Sequence, residues 1–174
     1  MSDWLKFLLL GIASVVFGIF ALGNTVAASM AVVYVTGALF LVAGVIQIWG
    51  GVTTEDMGNR VLTILMGVLA VLLGGSFLYN PLEGAVSLSL LILILMGLSG
   101  IVRLVLAWSM RQSPFFWAML ISGALSIVLA GYIWANFGAI STSLLGILLG
   151  IELIFNGAGF IVMALFIRSV RRKV

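Results

Sequence analysis

"GIASVVFGIFALGN" (residues 11–24), "GVLAVLLGGSFLYN" (67–80) and "GALSIVLAGYIWAN" (123–136) are one pattern written three times. Gly11, Gly67 and Gly123 recur at one constant step, and Asn24, Asn80 and Asn136 keep it. So do Ser14, Ala70 and Ser126, and Gly18, Gly74 and Ala130. A period of this size marks a repeated supersecondary unit. Each copy reads as an apolar helix, a turn at the asparagine and a second helix returning.

The returning helices align as well, with Gly44 and Gln47 placed one such step before Gly100 and Arg103. In the third copy "MGLSGIVRL" (96–104) matches "LGIELIFNG" (149–157). That match makes the last copy three residues shorter. It sets Arg103 equivalent to Gln47 and Asn156, and Glu152 equivalent to Ser99 and Ala43.

Composition fixes the solvent of these helices. Of 174 residues, 64% are hydrophobic and 7% charged, and the mean hydropathy is +1.37. Spanning a bilayer takes about 20 apolar residues, and six such stretches fit: 6–23, 29–51, 61–79, 86–108, 116–135 and 141–167. The expected fold is an all-α integral membrane six-helix bundle, a single transmembrane domain built from three helical hairpins at about 6–51, 61–108 and 116–167. A basic tail, 168–174, follows. The opening stretch, from Met1 to Ser29, also has features of a secretory signal, with Lys6 ahead of an apolar run. The repeat argues against cleavage, which would remove one of three equivalent helices.

Two spans per copy give every copy the same orientation, so the hairpins are expected to be related by pseudo-threefold rotation about the membrane normal. Small residues four apart, Ser14/Gly18, Ala70/Gly74, Ser126/Ala130 and Gly146/Gly150, share a helical face and permit close backbone approach. They serve packing inside the chain or contact between copies of it. Lys6, Arg60, Arg111, Arg168, Arg171, Arg172 and Lys173 all fall on the side holding both termini, whereas the opposite turns carry only Glu83. The positive-inside rule then predicts cytoplasmic termini. Trp4, Trp49, Trp108 and Trp117 on one side and Tyr79, Tyr132 and Trp134 on the other read as interfacial belts. The tail reads as a topology anchor beside anionic headgroups, and the net charge of +3 is no sign of nucleic-acid binding.

Polar chemistry is scarce. The chain has no cysteine and no histidine, which removes disulfides, thiolates and the usual general base and metal ligand. Proton sensing falls to Asp3, Glu55, Asp56, Glu83 and Glu152. Glu83, in a turn before the fourth span, is a candidate acid-sensing loop residue or an ordinary solvated charge. Arg103 lies near enough to a helix end to snorkel; Glu152 lies mid-span, where a charge costs about 2.5–3.5 kcal/mol or more. The aligned copies predict a buried polar layer of Glu152, Arg103, Gln47 and Asn156, with Glu152 paired to Arg103. Such a layer either fixes helix register or lines a small polar, proton-responsive path. No catalytic triad, metal cluster or phosphate loop emerges, so neither an enzyme nor a cofactor is expected.

"SGIVRLVLAW" (99–108) and "LLGIELIFNGAG" (148–159), with the opening of each copy, resemble the HdeD family of bacterial acid-resistance membrane proteins. The most specific match is Gly150 to Phe155, together with Arg103. The resemblance implies six spans, cytoplasmic termini and an inner-membrane role in acid or envelope stress, without a defined small-molecule ligand. Two other readings stand beside it: a small proton-linked transporter or channel, and a scaffold whose small-residue faces bind other membrane proteins or a second copy.

Overall fold

The computed structural model of the protein describes residues 3–53, 56–113 and 115–171. Glu55, Pro114, Arg172 and Lys173 therefore lie outside the described residues. Among the described residues seven helices follow one another: α1 (Asp3–Gly23), α2 (Thr25–Thr53), α3 (Met57–Tyr79), α4 (Pro81–Ser109), α5 (Phe116–Ala135), α6 (Phe137–Ile140) and α7 (Leu144–Arg171). All but α6 are long and apolar enough to cross a membrane. Helix is the expected state there, because a lipid-embedded segment must satisfy its own backbone groups.

The repeated asparagines each carry a turn. Asn24 is the single residue between α1 and α2; its Oδ1 accepts from the Ala27 N–H at 3.4 Å, freeing the backbone to reverse. Asn80 ends α3, donating its N–H to Ser76 O, and its carbonyl accepts from the Gly84 N–H. Pro81 then opens α4, where its missing N–H costs nothing. Asn136 ends α5 and donates its side-chain amide to Tyr132 O at 2.9 Å. On the other side of the membrane Asp56 caps α3 by accepting from the Gly58 N–H.

The third turn differs from the first two. After Asn136 comes the one-turn helix α6, then Ser141–Ser143, and only then α7. The chain carries an extra residue there.

Two compact units make up the chain, one of Met1–Gly84 with Ser143–Val174 and the other of Ala85–Thr142. In the first, α1 lies along α7 and α2 along α3, while α2 also meets α7; the turn-linked neighbours α1 and α2 touch far less. In the second, α4 packs on α5 where Gly100 meets Gly123. The tight pairs therefore join the second helix of one copy to the first helix of the next, not the two helices of a hairpin.

Glycine dictates these pairings. A Cβ on Gly11 would meet Gly157 O at 2.8 Å, and one on Gly18 would meet Gly150 O at 2.8 Å. A Cβ on Gly44 would meet Gly67 O at 2.7 Å, and one on Gly74 would meet Gly37 O at 2.7 Å. In the second unit Gly100 and Gly123 face each other in the same way: a Cβ on either would stand 3.1 Å from the other's carbonyl oxygen. With no hydrophobic drive between helices in lipid, such backbone-on-backbone dispersion contact is what holds them together.

Candidate functional site

Polar groups inside the spans fall into two classes, those spent on packing and those left outward. Ser14 Oγ donates to Leu153 O across the α1–α7 pair at 2.8 Å. Ser29, fully buried, accepts from the Gly146 N–H at 2.8 Å, so a side chain of α2 caps the first turn of α7, whose N–H groups have no helical partner. In the second unit buried Ser89 donates to Ser141 O at 2.6 Å, satisfying the carbonyl where α6 breaks. Ser126, the counterpart of Ser14, instead bonds Ser122 O in its own helix. Ala70 and Ala130 are half-buried. Among the described residues no buried side-chain nitrogen or oxygen lacks a partner.

Glu152, Arg103, Gln47 and Asn156 belong to the second class. All four are exposed. The reason is geometric: the packed stripes are occupied by glycines, and these residues stand off them. Glu152 is two residues past Gly150, about 200° around the helix, and so faces away from α1. Arg103 rests its stem against Gly123, its Cβ 3.1 Å from where a Cβ would stand there, and turns its head outward. Glu83 is exposed in the first turn of α4, a favourable place for a negative charge.

The glycine contacts also revise the alignment of the third copy. Gly44 and Gly100 meet the repeated glycines Gly67 and Gly123; the residue that meets Gly11 is Gly157. Likewise Gly37 meets Gly74, and Gly150 meets Gly18. The last copy is thus one residue longer than its predecessor, not three shorter, and the extra residue sits in the broken turn before α7. Arg103 and Gln47 become equivalent to Phe160, Asn156 to Ser99, and Glu152 to Leu95 and Leu39. Counted from the equivalent glycines, Glu152 and Arg103 hold sequence positions eight residues apart in their copies.

At the terminal end of the α1–α7 pair, Arg168 lies over the Trp4 ring at 5.0 Å and Phe7 meets Phe160 at 6.2 Å. In the second unit Arg111 lies over Trp108 at 6.0 Å. Toward the Asn24 turn, α1, α2 and α7 enclose an apolar groove of about 520 Å³ walled by Phe17, Phe20, Ala28, Ala31 and Leu149, with Asn24 as its polar member. Among the described residues no three His, Cys, Asp or Glu side chains converge.

Comparison with known proteins matches this architecture to a repeat. The family described as "Short repeat of unknown function (DUF308)" matches residues 9–79 and again 65–135, two copies displaced by the same step as the glycines. Each matched copy includes a cross-repeat helix pair, α2–α3 or α4–α5. Protein HdeD of Escherichia coli strain K12 is 31% identical over 143 residues, covering 78% of this chain and 73% of the relative. Protein HdeD of Escherichia coli O157:H7 and of Shigella flexneri match to the same extent. No solved structure matches the chain. With its repeated DUF308 units and its identity to these relatives along three quarters of its length, the chain belongs to the HdeD family of membrane proteins.

Proposed function

We propose that this chain is a non-enzymatic protein of the inner membrane, both termini cytoplasmic, that supports tolerance of acid and related envelope stress. Membership of the HdeD family carries this reading. Six helices long and apolar enough to cross a membrane support it, since they take up most of the given sequence. The test is survival after acid challenge of cells lacking the gene, with and without the wild-type chain restored. Restored survival supports the proposal; equal survival in both strains overturns it.

Proton-linked transport is the second reading, favoured by one observation, a carboxylate standing mid-span at Glu152. Proton flux into liposomes holding wild type or Glu152→Gln, as outside pH falls from neutral to about 4 through the ordinary carboxylate range, decides it. Flux that depends on Glu152 makes the protein a carrier; equal leak in both, matching empty liposomes, returns it to a structural role in the membrane.

A further inference from the structure

We propose that the Glu152–Asn156 face of α7 is a self-association surface, and that its occupant is a second copy of this chain. Glu152, Asn156 and Gly159 follow one another at helical spacings of four and three, so they form one outward stripe. All three are exposed, and a Cβ on Gly159 would meet nothing within 4 Å. Glu152 stands eight residues, about 12 Å, inside the Leu144–Arg168 span, beyond the reach of the interface.

Ser14, Ser29 and Ser89 by contrast use their hydroxyls in contacts inside the chain. Among the described residues, Glu152 and Asn156 make no side-chain hydrogen bond to α1 or α2, the helices packed on α7. Nor do those helices offer Glu152 a cation at its level: α2 has no charged residue, and Lys6 of α1 stands near the terminal end. A carboxyl and a carboxamide turned toward lipid cost free energy that an interhelical partner recovers.

The two groups are complementary to themselves under a twofold axis along the membrane normal. Two parallel copies of α7 set Glu152 of one copy a single turn from Asn156 of the other. The Asn156 amide then donates to the facing Glu152 carboxyl oxygen, and the contact is made twice, as an isologous interface requires. Gly159 lies on the same stripe, two turns from Glu152, with room for a side chain.

The native chain is free of cysteine, so one introduced thiol reports alone. Purified Gly159→Cys in liposomes of neutral lipid is oxidised, beside Phe20→Cys on the exposed face of α1 as control. The dimer yield is expected to be several-fold higher at position 159 and to fall as lipid is added. Adding Glu152→Leu and Asn156→Leu to Gly159→Cys brings the yield to the control level, whereas adding Glu152→Gln, which keeps a carbonyl acceptor, preserves it. The leucines only make a lipid-exposed stripe more apolar, and unchanged helicity verifies the fold. Equal yields at 159 and 20, or a yield the leucines leave intact, overturns the proposal. Background yield in every variant overturns it too and leaves Glu152 to a partner within its own chain.

Discussion

Gly74 and Gly75 are adjacent in α3, and alanine should be costly at one and harmless at the other. A Cβ on Gly74 would stand 2.7 Å from Gly37 O and 2.8 Å from Leu41 N; a Cβ on Gly75 would meet nothing within 4 Å. Ordinary contact begins near 3.4 Å, so the Gly74→Ala methyl must displace α2 by about 0.7 Å at the level of its backbone, where no side chain can swing aside. A gap of 0.5–1 Å forfeits about a quarter to a half of each atom pair's ~0.1–0.2 kcal/mol. Over a few dozen pairs along the α2–α3 crossing that sums to about 1–3 kcal/mol, the usual cost of overpacking. Gly75→Ala instead gains helix propensity and should lie within about 0.5 kcal/mol of wild type or slightly above it. Reversible unfolding in mixed micelles, followed by far-UV circular dichroism, measures both. Equal stability of the two variants would refute the idea that backbone contact at Gly37–Gly74 holds the pair.

The same logic extends to other places in the chain. Gly157→Ala should destabilise by a similar amount, about 1–3 kcal/mol, and Gly159→Ala should not, in the same unfolding assay, because a Cβ on the first would meet Gly11 O at 2.7 Å and one on the second faces open space. Ser29→Ala removes the acceptor for the buried Gly146 N–H and should cost about 1–3 kcal/mol, with Ser126→Ala near neutral because its hydroxyl only bonds its own helix; a reversed order would show that the α2–α7 bond is dispensable. Asp56→Ala should cost about 0.5–2 kcal/mol through the lost α3 cap, and Asp56→Ser should recover most of it; unfolding midpoints of the three proteins measure the recovery.

The helices, the repeat and the asparagine turns are legible in the sequence because each depends on local chemistry: apolar length, a recurring glycine and a residue able to close a tight turn. Which helix pairs with which is not, since a hairpin and a cross-repeat pair present the same small-residue stripe. The third copy misaligns by four residues for a related reason. Four residues is close to one helical turn, so "LGIELIFNG" laid over "MGLSGIVRL" keeps its faces while losing its level. Only Gly157 against Gly11 and Gly150 against Gly18 set that level. Glu152 stands out as anomalous from its apolar surroundings alone.

The contact between α1 and α7 puts the two ends of the described chain in one helix pair, with Arg168 over Trp4. Sequence order and spatial order are then independent: α7 hands on to α1 as α2 does to α3 and α4 to α5. A gene cut between Arg111 and Ser113 and rejoined through a short linker from α7 to α1 would encode a circular permutant that keeps all three glycine-locked pairs.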